Sequence, residues 1–532
     1  MNNNLQPLSP MLNDAAYKKR WIALGFLILS LLVIALDNTV LNLALPSISD
    51  ELGTTASGLQ WIVDAYVLVF ASLLLTLGSI GDRFGRKKVL QIGLIVFGLF
   101  SLGAALSRST MSLTAMRAMM GIGGAAIMPS TLSILTATFH DPRERAQAIA
   151  FWTATFALGT GIGPLVGGWL LKYFHWSSVF YINLPVVVIA VIGGQFFIPD
   201  SRAEKPRSID IPGCILSMSG LFALVYGIIQ AGIDSWTAPS VLWAFGAAVV
   251  LLSGFALWER HVAQPMLPLH FFKNMSFTGA NLTLTLVAFS LFGVFFFMSQ
   301  YLQSVHGYTP LQAGIRLLPM AGAAFIGSAS SARLAQRINT KFTVFLGVLV
   351  AATGLYYFYR ISGIDTNYGL IVIGMCITAI GIGMTMSPAT NSIMGSIPVD
   401  EAGVGSAMND TTRQIGGALG VAIMGTLLNS AYIAKIDAVK WPVPLPAQVT
   451  DAIRGSIQGA HIAAQKLPSP ALTKFVVDQA NQAFTDSMAH ALLVTAIIMT
   501  ATAVMALFII PGKIRPYHEE KQRPPKKANK EK

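Results

Sequence analysis

The chain has 532 residues, 54% of them hydrophobic and only 11% charged, with a formal net charge of +12. Soluble domains carry about 25% charged residues, so this composition excludes a water-soluble globular protein and points to a chain dissolved in lipid. The positive charge does not indicate nucleic acid: eight of the 36 basic residues lie between Lys513 and Lys532, and most others fall in short loops, the pattern of a cytoplasmic membrane face.

Runs of about 20 apolar residues, enough to cross a hydrocarbon core of roughly 30 Å, are centred near residues 33, 69, 98, 122, 159, 188, 221, 248, 289, 322, 351, 381, 416 and 500. They predict fourteen spans, all helical, because lipid offers no partner to a free backbone group. The least distinct boundary is between the seventh and eighth, where Gly232 to Ala238 forms only a short turn. The first run, Trp21 to Leu45, is too long for a cleavable signal peptide, and none is expected.

An even count places both termini on one side. With the N-terminus in the cytoplasm, the inner segments hold 25 Lys and Arg and the outer segments 8, five of those in one long loop; the asymmetry supports a multi-pass inner-membrane protein with both termini cytoplasmic. That loop, residues 432–487, contains Trp441-Pro-Val-Pro-Leu-Pro446, whose prolines forbid a helix. Two modest helices are predicted after it, Val449 to Lys466 and Leu472 to Phe484, split by Pro468 and Pro470. A structured hairpin over the outer mouth and a mobile loop both fit.

The segment Gly78-Ser-Ile-Gly-Asp82-Arg83-Phe-Gly85-Arg86-Lys87-Lys88 follows the second run. A worn copy, Arg333-Leu-Ala-Gln336-Arg337-Ile-Asn339-Thr-Lys341, follows the tenth, with Gln336 in the place of Asp82 and Asn339 in that of Gly85. The spacing predicts an all-α membrane protein of six plus two plus six helices, two repeated halves being the architecture of secondary transporters. The organisation read from it is an N-terminal tail 1–20, a first six-helix half 21–200, two extra helices 201–260, a second half 261–511 that includes the outer loop, and a basic tail 512–532.

These motifs resemble those of the major facilitator superfamily, and in particular its fourteen-span drug:proton antiporters. Gly78 to Lys88 looks like the superfamily's signature loop. Leu36-Asp37-Asn-Thr39-Val-Leu-Asn42-Leu-Ala-Leu-Pro46 resembles the first-span motif, and Arg117-Ala-Met-Met-Gly121-Ile-Gly123 the fourth-span motif with Met120 where Gln is usual. Gly159-Thr-Gly161-Ile-Gly163-Pro164-Leu-Val-Gly167-Gly168 matches the antiporter motif, and Asn409-Asp410-Thr-Thr-Arg413-Gln-Ile-Gly416-Gly417 fits the thirteenth span. The resemblance covers the chain to about residue 430. It implies a major facilitator fold, alternating access, and a latch at Gly78, Asp82, Arg83, Gly85 and Arg86 that works on conformation rather than on substrate.

Physically, Asp82 can accept from the free N–H groups that open the third helix, while a topogenic charge cluster would also account for the basic run. Gly159, Gly163 and Gly167 share a face and let helices approach closely, and Pro164 removes a donor; tight packing alone would explain them too. The resemblance implies instead a hinge that favours export.

Ionisable residues inside spans cost a few kcal/mol each on insertion scales and need a partner, a wet cavity or a job. Asp37, Asp64, Arg117, Asp410 and Arg413 are of this kind. Asp410 and Arg413, three apart, favour a structural ion pair. Asp64 has no charged neighbour three or four positions away, so proton or cation handling is the leading reading for it, and likewise for Asp37. The alternative is hydrogen bonding within the bundle, with Arg117 neutralising one acid. Many fourteen-span relatives carry an uncharged residue at the position of Asp64, whereas quaternary-ammonium pumps of the QacA and SmvA kind have an acid. The tenth span, Leu317-Leu-Pro319-Met-Ala-Gly, lacks the acid some of those pumps carry, which favours monovalent lipophilic cations over divalent ones.

Trp61 and Tyr66 are the expected cavity aromatics, ahead of Trp152, Phe156, Phe292, Phe295 and Phe296. Cys214 and Cys376 lie in apolar runs and imply no disulfide. No nucleotide-binding loop or metal-ligand spacing occurs. The expected protein is a monomeric proton-coupled exporter of lipophilic cations with protons and membrane lipid as its other partners, without cofactor, and not an enzyme. A neutral or anionic metabolite or antibiotic is the rival substrate, and a membrane channel the rival class.

Overall fold

The computed structural model describes residues 17–54, 56–202 and 210–512. The basic tail from Lys513, residues 1–16, and Lys205 and Arg207 of the loop after the sixth run lie outside the described residues. So does the side chain of Phe156.

Among the described residues every regular element is helical. In chain order the long helices are α1 (Arg20–Leu52), α2 (Ala56–Phe84), α3 (Arg86–Ala105), α4 (Thr110–Thr138), α5 (Pro142–Tyr173), α6 (Ser178–Phe197), α7 (Ile211–Ile233) and α8 (Pro239–His261). They continue with α9 (Met275–Gln300), α10 (Pro310–Ile338), α11 (Thr340–Ile361), α12 (Tyr368–Gly395) and α13 (Ala402–Asp437). Two short helices, α14 (Ala447–Gly455) and α15 (Ile457–Ala464), precede α16 (Pro470–Ile509).

Among the described residues, twelve of these helices are long and apolar enough to cross a membrane by length and composition. Helices α5 and α10, with 32 and 29 residues, are also long enough at about 1.5 Å per residue; α10 is the less apolar of the two, while α5 holds an uncharged run from Ala154 to Leu171. The starts of both are chemically specified. Asp141 accepts from the Arg143 amide at 2.8 Å with Pro142 at the first helical position, where a missing donor costs nothing. Thr309 and Gln312 cap α10 reciprocally, a capping box.

Helices α1 to α6 pack among themselves, as do α9 to α13 with α16, and the two groups meet along α5 with α10 and along α2 and α4 with α13. Helix α7 packs on α2 and α13, while α8 packs chiefly on α7. The repeated loop is visible in the backbone: Gly85 (φ 110°) and Asn339 (φ 73°) both take positive φ immediately before a helix. Glycine does this without strain, and asparagine is among the few other residues that tolerate it.

The outer stretch differs from its expected division. The first helix breaks at Ser456, whose extended backbone (φ −173°) and side chain, accepting from the Gly459 amide at 2.9 Å, start a new helix. The prolines do divide the first from the second, Pro470 standing in the first turn of α16, but that second helix does not end before the last span: α16 runs unbroken from Pro470 to Ile509. Helices therefore enter the 432–487 stretch from both sides, and α14 and α15 fold back onto α13 and α16. Both cysteines are free.

Candidate functional site

A cavity of about 1010 Å³ lies between the two helix groups, lined from the middle of the bundle out to Gly455–Ile457 of the outer stretch. Asp64 lines it. That carboxylate is hydrogen-bonded to Gln60, one turn earlier on α2, and makes no ion pair among the described residues. Tyr66, Phe292, Phe295 and Phe296 line the same space. Trp61 does not: its indole stacks on Tyr226 of α7, ring centroids 6.2 Å apart. Trp152 is fully buried, its indole N–H bonded to Thr131 Oγ1 at 3.0 Å.

Asp37 is not a free acid. Arg117 Nη1 donates to Asp37 Oδ2 at 2.5 Å, with both side chains 1% exposed. Arg117 Nε donates to the Ile62 carbonyl at 3.2 Å, and Asn183 bonds both Asp37 (3.4 Å) and Ser101 (3.1 Å). The guanidinium also packs 4.5 Å from the Tyr66 ring. Tyr66 thus separates a buried charge network from the cavity, and its buried hydroxyl has no hydrogen-bond partner among the described residues.

Asp410 and Arg413 meet as their spacing implies, at 3.7 Å, with Asn409 donating to Asp410 Oδ1 at 3.0 Å. The acid is wholly buried, and only the arginine lines the cavity.

At the opposite end from the outer stretch, the bundle is closed. Asp82 does not accept from α3, as its sequence position suggests, but from the opening turn of α13: Gly403 N–H at 2.9 Å and Val404 N–H at 3.1 Å. Its local partner is Arg86, Nε to Oδ1 at 2.8 Å, and Arg86 reaches on to the Val399 carbonyl at 2.5 Å. The carboxylate therefore sits on the positive end of a helix of the other group. Gly78 belongs to the same contact, since a side chain there would overlap Gly403 and Ala407. Arg83 instead lies over Phe84, 5.3 Å from its ring.

The glycine face of α5 is a packing surface. A side chain at Gly159 would collide with Ala35 of α1, at Gly163 with Thr39, and at Gly167 with Val40 and Leu43. Gly168 faces Leu311 and Pro164 faces Gly314, both on α10. Ser328 of α10 donates to the Ala150 carbonyl at 2.8 Å, so α5 and α10 run antiparallel in contact along most of their length.

Sequence reasoning missed the contribution of α7, whose end and following turn, including Gly232 and Trp236, line the cavity. No motif marks it. No cluster of three or more metal-ligating side chains occurs among the described residues.

A bundle of membrane-crossing helices in two groups, shut at one end around a central cavity that carries an unpaired acid and aromatic faces, defines a membrane transporter rather than an enzyme. The profile of the Major Facilitator Superfamily matches residues 27–421. The chain belongs to that superfamily. It is similar to the multidrug efflux pump LfrA of Mycolicibacterium smegmatis, 34% identical over 92% of this chain and 95% of that protein. It also resembles the methyl viologen resistance protein SmvA of Salmonella typhimurium, 29% identical over 88% and 93%, and the tetracenomycin C resistance and export protein of Streptomyces glaucescens, 32% identical over 79% and 78%. Its fold matches the crystal structure of the human organic anion transporter MFSD10, with a TM-score of 0.59 at 14% identity, covering 90% of this chain and 99% of that one.

Proposed function

We propose that this protein is a proton-coupled multidrug efflux antiporter that exports lipophilic, quaternary-ammonium-like cations by alternating access. The observation that carries the reading is Asp64: an acid without a counter-ion in a large, aromatic-lined cavity between the two helix groups. A carboxylate so placed attracts an organic cation, the ring faces of Phe292, Phe295 and Phe296 add cation–π contact, and protonation discharges the site and releases the cargo. Each elementary charge moved is worth about 2.3 kcal/mol per 100 mV of membrane potential. The names of the relatives above agree with export of drugs and of a cationic compound.

The reading takes α5 and α10 as spans as well, giving fourteen in a six-plus-two-plus-six arrangement. Their mutual packing supports this, since two helices that face each other need less apolar surface than two facing lipid. Both termini are then cytoplasmic, the 78–88 loop is on the inner face, the molecule is a monomer in the inner membrane, and the described conformation opens outward. The Asp82 bridge is the inner latch. Asp37 and Arg117 pass conformational change to the cavity through Tyr66, and Gly159, Gly163, Pro164, Gly167 and Gly168 form the seam on which the halves turn.

The test is proton-gradient-driven movement of ethidium in proteoliposomes, wild type beside Asp64→Asn. Gradient-dependent movement is expected to fall by at least tenfold in the variant. Undiminished coupled transport in Asp64→Asn would remove Asp64 from its assigned role. One observation favours a second reading: Arg413 lines the cavity, which suits an anionic or neutral cargo, and absence of any cation movement by folded protein would bring that reading forward.

A further inference from the structure

Helices α7 and α8 are the pair that the repeat does not account for. α8 touches little besides α7 and turns side chains such as Trp243 and Val250 outward. The turn that joins the two helices, in contrast, faces inward: Ile233, Asp234, Ser235 and Trp236 all line the cavity, near its outer end.

That turn is held in place. The Asp234 amide donates to the Gln230 carbonyl at 2.9 Å, the Gln230 side chain donates to Asp234 Oδ2 at 2.7 Å, and the Ala238 amide donates to the Ser235 carbonyl at 3.1 Å. The indole N–H of Trp236 donates to Thr426 Oγ1 of α13 at 3.3 Å, and its ring stacks on Phe245 of α8, centroids 6.1 Å apart and planes at 14°. Gly232 sits against Ala422, also of α13. The turn is thereby pinned to the C-terminal helix group.

Asp234 is exposed and makes no ion pair among the described residues. Its Oδ2 is oriented by a neutral amide donor that leaves the negative charge in place. An oriented carboxylate beside a fixed indole is the chemistry that recognises an organic cation: charge attraction plus a quadrupolar ring face. We infer that Asp234 and Trp236 form a second cation subsite at the mouth of the cavity, which takes aromatic or quaternary ammonium cations on their way between Asp64 and the outside. The extra helix pair then supplies part of the specificity surface. This inference rests on the cation-export reading above.

The experiment measures equilibrium binding of ethidium, and of a neutral lipophilic dye such as Nile red, to the full chain in nanodiscs at two salt concentrations. Wild type is compared with Asp234→Asn, Asp234→Glu and Trp236→Leu. Asparagine keeps the Gln230 contact, so Asp234→Asn is expected to fold as wild type, bind ethidium about fivefold to tenfold more weakly, and lose part of the salt dependence, while Nile red binding stays within twofold. Asp234→Glu restores most of the affinity, and Trp236→Leu weakens ethidium about threefold to tenfold. Wild-type ethidium affinity in both Asp234→Asn and Trp236→Leu would overturn the subsite and leave the cation reading standing. Equal loss for ethidium and Nile red would also overturn it, because the turn would then be structural only. Failure of wild type to bind any cation would overturn the cation reading and the subsite with it.

Discussion

The two halves of this molecule carry the same turn at the same place, and they use it differently. Gly85 and Asn339 both adopt positive φ before a helix, so the backbone of the repeat is preserved. In the first half the residue three positions earlier is Asp82, buried, bonded to Arg86, and seated on two amides of α13. In the second half it is Gln336, which is exposed. The same contrast appears deeper in the bundle, where Asp37 and Arg117 form a close network within the first half, while Asp410 and Arg413 stand 3.7 Å apart and the arginine faces the cavity. A repeat thus conserves geometry where the chain must turn, while charge is concentrated on the side that locks.

The sharpest way to break this comparison is to strip the acids. Asp37→Ala leaves Arg117 buried without its counter-ion, which costs about 3–5 kcal/mol for an interior pair. Asp410→Ala is expected to cost only about 1–2 kcal/mol, because Arg413 can turn to the cavity and its solvent. Thermal unfolding in detergent ranks the two, and equal losses would erase the contrast between the halves. A step smaller is Asp82→Asn, which removes charge from hydrogen bonds worth about 1.5–3 kcal/mol when one partner is ionised. It shifts the equilibrium away from the conformation closed at that end by roughly tenfold or more. Spin labels at Lys88→Cys and Lys341→Cys should report a longer mean distance, and an unchanged distribution would deny the bridge a conformational role. The smallest effect belongs to Gln336→Ala, expected within about 0.5 kcal/mol of wild type and with transport within twofold. A large loss there would mean that the second copy also latches.

Much of the fold was legible because lipid enforces it. Each of the apolar runs corresponds to a helix, and the turn at Gly85 could be matched with Asn339 across 254 positions. Contacts between residues far apart were not legible. Nothing near Asp82 says that its amide donors come from Gly403 and Val404, more than 300 residues away, and the nearest helix start was the natural but mistaken choice. The pairing of Arg117 was open between two acids for the same reason. Trp61 was expected in the cavity and shares a helix face with Asp64, three positions on, yet its indole is taken up by the ring of Tyr226 on α7. The wall formed by Trp236 had no signature, since a tryptophan in a turn between apolar runs reads as an interfacial anchor.

Helix α10 is the least apolar of the long helices, and it lies against α5. If two wholly apolar faces had to part, each Å² exposed would cost about 25 cal/mol, and a seam of ordinary width would weld shut. Serine, threonine and backbone carbonyls along this seam, such as the Ser328–Ala150 contact, instead give water something to bind when it enters. The lowered hydropathy is in that sense a wetting specification: it sets how readily the molecule can be unzipped along its own midline.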